Sequence, residues 1–160
     1  MNITIEPIGK DDISDVLTLM REFAVYEKLE DFMEVTAERL ATAMFGNDAF
    51  VEGLIARNEG VAVAYALYYP HFASFRGQRG FYLEDIYINE HHRGSGLGRS
   101  MLKRMARIAA DRGFERIDFL VLDWNKTAVE FYTRMGAARD DDERHFKFTG
   151  DAFRGLIEGS

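Results

Sequence analysis

Residues 80–112 read GFYLEDIYINEHHRGSGLGRSMLKRMARIAADR and hold three local patterns in succession. An apolar run from Phe81 to Ile88, interrupted only by Glu84, Asp85 and Tyr87, predicts a strand. A turn over Asn89–His92 leads into Arg93-Gly94-Ser95-Gly96-Leu97-Gly98, and an amphipathic helix follows at once. On that helix Leu102, Met105, Ala106 and Ala109 share one face, while Arg99, Lys103 and Arg107 line another; Gly113 ends it. A strand feeding a helix through a glycine-rich turn suits a phosphate. The glycines let backbone N–H groups come close to it, and the helix N-terminus adds partial positive charge.

Upstream, Ile3 and Ile5 alternate with polar residues, so residues 2–6 read as a first strand, stopped by Pro7. Asp11 or Asp12 can cap a helix whose apolar positions are Val16, Leu19, Met20, Phe23 and Ala24. Thr36 opens a second helix, which ends at Gly46. Phe50–Ala56 and Val61–Tyr69 read as strands joined by the hairpin signal Asn58-Glu59-Gly60, and Pro70–Arg79 reads as a loop. Downstream, Arg116–Leu122 reads as a strand buried in a sheet, and Asn125 caps a helix carrying Val129, Phe131, Tyr132 and Met135, closed by Gly136. The acidic run Asp140–Glu143 reads as a turn, His145–Phe148 as a last strand, and the residues after Asp151 as a short helix or tail. The order β-α-α-β-β-β-α-β-α-β predicts an α/β (α+β) domain over 1–160, with a mixed sheet and helices on both faces.

The 160 residues, 47% hydrophobic, suffice for a core without disulfides or metals. With no cysteine there are no thiolate metal sites and no cysteine nucleophile. His71, His91, His92 and His145 lack metal-ligand spacing, so no metal is expected. The start MNITIEPIGKDD has no signal-peptide pattern and no apolar run approaches a membrane span, which gives the expectation of a cytoplasmic protein with no membrane partner. A net charge of −7 disfavours nucleic acid and suits a cationic small molecule.

The glycine turn does not match a dinucleotide fingerprint, being G-x-G-x-G past mid-chain; Gly98-Arg99-Ser100 also lacks the lysine of a P-loop. A glycine turn without a ligand stays open on the motif alone. Arg93-x-x-Gly96-x-Gly98 opening a helix resembles the pyrophosphate-binding signature of the GNAT superfamily of acetyl-CoA-dependent N-acyltransferases. Residues 125–137, from Asn125 through Phe131-Tyr132 to Gly136-Ala137, resemble that superfamily's second signature. Tyr82–Ile88 (YLEDIYI), Phe119–Asn125 (FLVLDWN) and Glu22–Asp31 (EFAVYEKLED) are similar to the spermidine/spermine, or diamine and thialysine, N-acetyltransferase branch. Pro70–Gly80, Asp140–Glu143 and Lys28 depart from the eukaryotic polyamine enzymes, which leaves the acceptor open.

The resemblance implies a GNAT-type, mostly antiparallel twisted sheet of about six to seven strands, acetyl-CoA as co-substrate, and a homodimer. It implies cofactor contacts from the main chain of Ile86, Tyr87 and Ile88, from Arg93, Gly94, Ser95, Gly96, Leu97, Gly98 and Arg99, and from Asn125, Lys126, Thr127 and Ala128. The amine would meet Tyr26, Glu27, Glu84, Asp85 and Trp124, with Asp118, Phe119 and Leu120 along one wall.

The chemistry needs these residue types. An alkyl ammonium of pKa ~10.4 must lose a proton before it attacks a thioester. Glu84, a carboxylate in an apolar strand, is the expected base, directly or through water. Adjacent strand residues face opposite sides, so Glu84 and Asp85 can share one substrate only across a bulge or splay. Main-chain N–H groups around Ile86–Ile88 can hold the oxyanion, and Tyr132 can protonate the leaving thiolate. The expected function is direct acetyl transfer to a primary amine of a polyamine or a basic amino acid such as thialysine or lysine. The same chemistry on a protein amino group or an aminoglycoside, and a non-catalytic acyl-CoA sensor, are the alternatives.

Overall fold

The computed structural model describes residues 2–158. Contacts between residues divide the chain into two compact units, Met1–Leu120 and Val121–Ser160.

The first unit holds one five-stranded sheet in the order β1 (Ile3–Pro7), β2 (Glu52–Asn58), β3 (Val61–Ala73), β4 (Gln78–Ile88) and β5 (Arg116–Asp118). The first three pairings are antiparallel and β4–β5 is parallel. The β2–β3 hairpin turns on Glu59 and Gly60, both at positive φ, as a two-residue hairpin loop requires. Helices α1 (Ile13–Glu27) and α2 (Ala37–Phe45) cover one face. There Val16, Leu17 and Leu19 meet Ile55, Tyr65, Leu67 and Tyr87, with Leu40 and Met44 of α2 in the same cluster. Strand alternation sends Leu54, Ala66, Tyr68 and Phe81 to the opposite face, which α3 (Leu97–Asp111) covers with Met101 and Met105. Tyr68 and Phe81 are in ring contact at 4.6 Å there.

Thr36 caps α2 by accepting from the Arg39 N–H. Asp12 precedes α1, but its carboxylate is engaged elsewhere: it accepts from the Gly9 N–H at 2.7 Å and pairs with Arg57 at 2.6 Å. The second unit contains α4 (Lys126–Arg134) and α5 (Gly150–Glu158).

Three expectations are corrected. Pro70–Arg79 is not a loop: β3 runs on to Ala73 and β4 begins at Gln78, around a short turn at Ser74–Arg76. Pro70 is tolerated because β2 stops opposite Tyr68, so from there β3 has an open side on which a missing N–H costs nothing. The run Arg116–Leu122 forms strand only to Asp118. Its ladder on β4 ends at Tyr82, just before that strand bulges. Residues 145–148 form no strand, and Phe146 and Phe148 are exposed. An alternating run takes strand form only against a partner. The sheet therefore has five strands rather than six or seven among the described residues.

Candidate active site

Two residues of β4 depart from simple alternation, and they are the two carboxylates. Leu67 pairs with Asp85 while the next residue, Tyr68, pairs with Leu83, so Glu84 is the extra residue of a β-bulge. The bulge turns Glu84 toward the face that Asp85 already occupies. Tyr65 and Tyr69, both on the α1 face of β3, donate their phenol O–H groups to Asp85 and Glu84, each at 3.1 Å. The condition set by the sequence for one substrate to meet both carboxylates is thus fulfilled.

The electrostatics of this face favour a cation. Asp85 is pushed up to about 6, by burial first and then by the neighbouring Glu84 charge, with the Tyr65 hydrogen bond opposing. Burial also raises Glu27, at the end of α1, and its charge acts on both Asp85 and Tyr65. Burial, then the Glu84 charge, pushes Tyr69 up to about 12. Glu27, Glu84 and Asp85 therefore gather negative charge beside tyrosine rings, a setting that attracts an ammonium.

At the downstream end of β4 the chain offers main chain instead. Gly94 and Gly96 stand at φ 73° and 85°, and a Cβ on either would point into open space. The first hydrogen bond of α3 runs from the Ser100 N–H to the Gly96 carbonyl at 3.1 Å. The N–H groups of Leu97, Gly98 and Arg99 lie before it and have no helical acceptor. This open cradle fits a pyrophosphate. Because β5 pairs only as far as Tyr82, the β5 side of Ile86–Ile88 is also outside the ladder.

Arg93, at the start of the turn, is engaged by β4 and α1. Its Nε donates to the Ile88 carbonyl at 2.9 Å, and its guanidinium lies 4.3 Å from the Tyr26 ring centre and 5.4 Å from that of Tyr87. Glu22, one turn before Tyr26, accepts from Tyr87 Oη at 3.2 Å and from Asn89 Nδ2 at 2.8 Å. Tyr26 therefore borders the glycine turn as well as Glu27.

Asp118, half-buried, is gripped by Arg116, and Leu120 is exposed; Phe119 follows the end of β5. In the second unit, Asn125 is buried and its Oδ1 accepts from the Ala128 N–H at 3.2 Å, capping α4 as expected. Lys126 and Thr127 form the exposed first turn, Trp124 is exposed just before the cap, and Tyr132 is half-buried on α4 beside Phe131. Tyr65, Tyr69, Tyr82, His71 and Glu22 were not singled out by the sequence. The first four lie at alternate positions of two paired strands, which only the register brings together.

Among the described residues no cluster of three or more metal-ligating side chains occurs, and no helix is long and apolar enough to cross a membrane.

Comparison with known proteins agrees with this architecture. The model of the acetyltransferase (GNAT) family matches residues 14–137. Thialysine N-epsilon-acetyltransferase of Sus scrofa is 36% identical over 97% of this chain and 97% of its own length. Spermidine/spermine N(1)-acetyltransferase-like protein 1 of Homo sapiens is 35% identical over 79% of this chain and 19% of its own. Among solved structures, an integron cassette protein from the mobile metagenome of V. cholerae superposes with a TM-score of 0.83 at 23% identity, covering 99% of each chain. A turn of this kind suits a family that moves acetyl groups from acetyl-CoA to amines, and this chain belongs to that family: it is an N-acetyltransferase of the GNAT family.

Proposed function

We propose that this chain transfers acetyl from acetyl-CoA directly to a primary amine of a small cationic acceptor, a polyamine or a basic amino acid. The observation that carries the reading is the bulge at Glu84, which sets two carboxylates on one face beside Glu27. The similarity to thialysine and spermidine/spermine-type relatives supports the same acceptor class.

The open N–H groups from Gly94 to Arg99 would hold the pyrophosphate, with Asn125–Ala128 along the pantetheine arm. When bound, acetyl-CoA supplies the thioester carbonyl and a thiolate leaving group. Glu84 takes the ammonium proton, directly or through a water, while Asp85 and Glu27 hold the cation in place. A base with a pKa near the working pH transfers protons most effectively, and the value of about 6 lets Asp85 share that task. Main-chain N–H groups of Ile86–Ile88 hold the carbonyl oxygen during attack. Tyr132 donates its phenol proton to the departing sulfur, and the second proton that the amine nitrogen sheds as the amide forms returns through solvent to the phenolate. The proposal includes a homodimer in the cytoplasm, which sedimentation and fractionation test.

The decisive assay follows thiol release from acetyl-CoA with polyamines, lysine analogues and aminoglycosides. Release with small aliphatic amines, lowered at least ~100-fold in kcat by Tyr132→Phe with acetyl-CoA binding retained, is the expected result. Release with aminoglycosides alone overturns the acceptor class.

A further inference from the structure

The face that carries Glu84 and Asp85 continues past them. Along β3 it presents Tyr69 and His71, along β4 Tyr82, and along β5 Arg116 and Asp118. His71 pairs with Gly80, Gly80 with Arg116, and Tyr82 with both Tyr69 and Asp118. Tyr69 stacks on Tyr82 at 5.4 Å, and the His71 ring stands edge-on to Tyr82 at 6.1 Å. These rings make an aromatic floor between two polar ends. At the far end Arg116 donates through Nε and Nη2 to the two Asp118 oxygens, both at 2.7 Å, and His71 Nε2 lies 3.1 Å from Asp118 Oδ2. A side chain at Gly80 would collide with the Arg116 backbone and side chain, so the glycine makes room for this group. His71, Tyr82, Arg116 and Asp118 are all half-buried, so the cluster is partly shielded yet reachable.

The two ends differ in charge. Glu27, Glu84 and Asp85 gather three carboxylates at one end. At the other, the single carboxylate of Asp118 is already matched by a guanidinium, with an imidazole beside it. A second ammonium placed there would have to compete with Arg116 for Asp118. A zwitterionic α-carbon would find partners of both signs: Arg116 and His71 for its carboxylate, Asp118 for its α-ammonium. Spacing agrees. Glu84 and Asp118 sit two residues apart along neighbouring strands, about 8 Å between Cα atoms at ordinary rise and strand separation. Five bonds of about 1.5 Å separate the terminal nitrogen of lysine from its α-carbon, which spans about 6 Å when extended.

We infer that His71, Arg116 and Asp118 form a subsite for the α-amino-acid end of the acceptor, so that the chain selects a basic amino acid over a diamine or polyamine. This rests on the acetyl-transfer reading above. No part of the second unit is needed for it.

Three acceptors of matched length separate the contributions: lysine, 6-aminohexanoate, which lacks the α-ammonium, and 1,5-diaminopentane, which lacks the carboxylate. Wild-type kcat/KM for lysine is expected to exceed that for the diamine at least ~10-fold, through KM. Arg116→Gln lowers kcat/KM for lysine and 6-aminohexanoate ~10-fold more than for the diamine, and Arg116→Lys restores part of the difference. Asp118→Asn acts oppositely on 6-aminohexanoate, raising it relative to the diamine because Arg116 loses its competing partner; it decides the matter if Arg116→Gln does not fold. Equal losses on all three acceptors, or a wild-type preference for the diamine, overturn the subsite. Turnover of polyamines with none of these three also overturns it and leaves the transfer reading standing. No turnover with any amine, polyamines included, removes both.

Discussion

The two ends of β4 work by different means. At the bulge, Glu84 and Asp85 act through side chains whose direction and charge depend on neighbours: Tyr65, Tyr69 and Glu27. At the glycine turn, Gly94 and Gly96 would contribute by having no side chain, and the proposed working groups are N–H groups fixed by the start of α3. A side-chain site can be tuned by changing what surrounds it. A main-chain site tolerates almost nothing at its glycines and is nearly indifferent to its other side chains.

The sharpest break of that contrast is Gly96→Val. The backbone there is left-handed at φ 85°, and the new side chain enters the space proposed for the pyrophosphate. Acetyl-CoA affinity is expected to fall at least ~100-fold by calorimetry, about 3 kcal/mol. An unchanged affinity would move the phosphate elsewhere.

At the other end, Asp85→Asn keeps an acceptor for Tyr65 but removes the charge. The expected loss in kcat/KM for amines is ~10- to 100-fold, with acetyl-CoA binding nearly unchanged. The wild-type rate should fall as pH drops through about 6, where Asp85 takes up a proton, and the variant should lose that limb. A pH profile of the same shape in both would remove Asp85 from the titration.

The same substitution should raise stability. The Asp85 carboxyl is lifted from 3.8 to about 6 in the folded chain, chiefly by burial. The folded state therefore holds its proton more tightly, and stability declines as pH rises from about 4 to about 6. Above that range the ionised, buried carboxylate costs up to about 3 kcal/mol. Asp85→Asn should thus melt higher than wild type at pH 8, with the gap closing below pH 4. A lower melting temperature at pH 8 would mean that the charge is better solvated than its setting suggests.

The smallest effect is expected from Glu22→Gln, which touches neither end directly. It weakens the acceptor shared by Tyr87 and Asn89 and should cost about 1 kcal/mol of stability and a few-fold in acetyl-CoA affinity. Loss of affinity as large as that of Gly96→Val would make Glu22 part of the cradle itself.

The conformation of the glycine turn was legible because it is written in residue type. Glycines between an apolar strand and an amphipathic helix mark a turn of left-handed backbone at a helix start, although the motif alone left its ligand open. The caps at Thr36 and Asn125 were legible for the same local reason. The bulge could be stated only as a condition, since alternation forbids Glu84 and Asp85 from sharing a face and only the pairing with Leu67 and Tyr68 shows the extra residue. The tyrosines of β3 were invisible as a group, because cross-strand register is not a property of one segment. The strand over 116–122 was overextended because its apolar run carries no mark of where the β4 ladder fails.

Arg93 stands where the two ends meet. Fastened to the Ile88 carbonyl and laid over Tyr26, it ties the first residue of the phosphate turn to the helix that ends in Glu27. A ligand that shifts either element shifts a contact on which the other depends. If the two places bind phosphate and amine as proposed, occupancies there would be linked through this contact, and linkage is reciprocal: by whatever factor the phosphate group altered the hold on the amine, the amine would alter the hold on the phosphate by the same factor. Which of the two arrives first is then decided by rates of access, because the energy of the doubly occupied state is the same by either route.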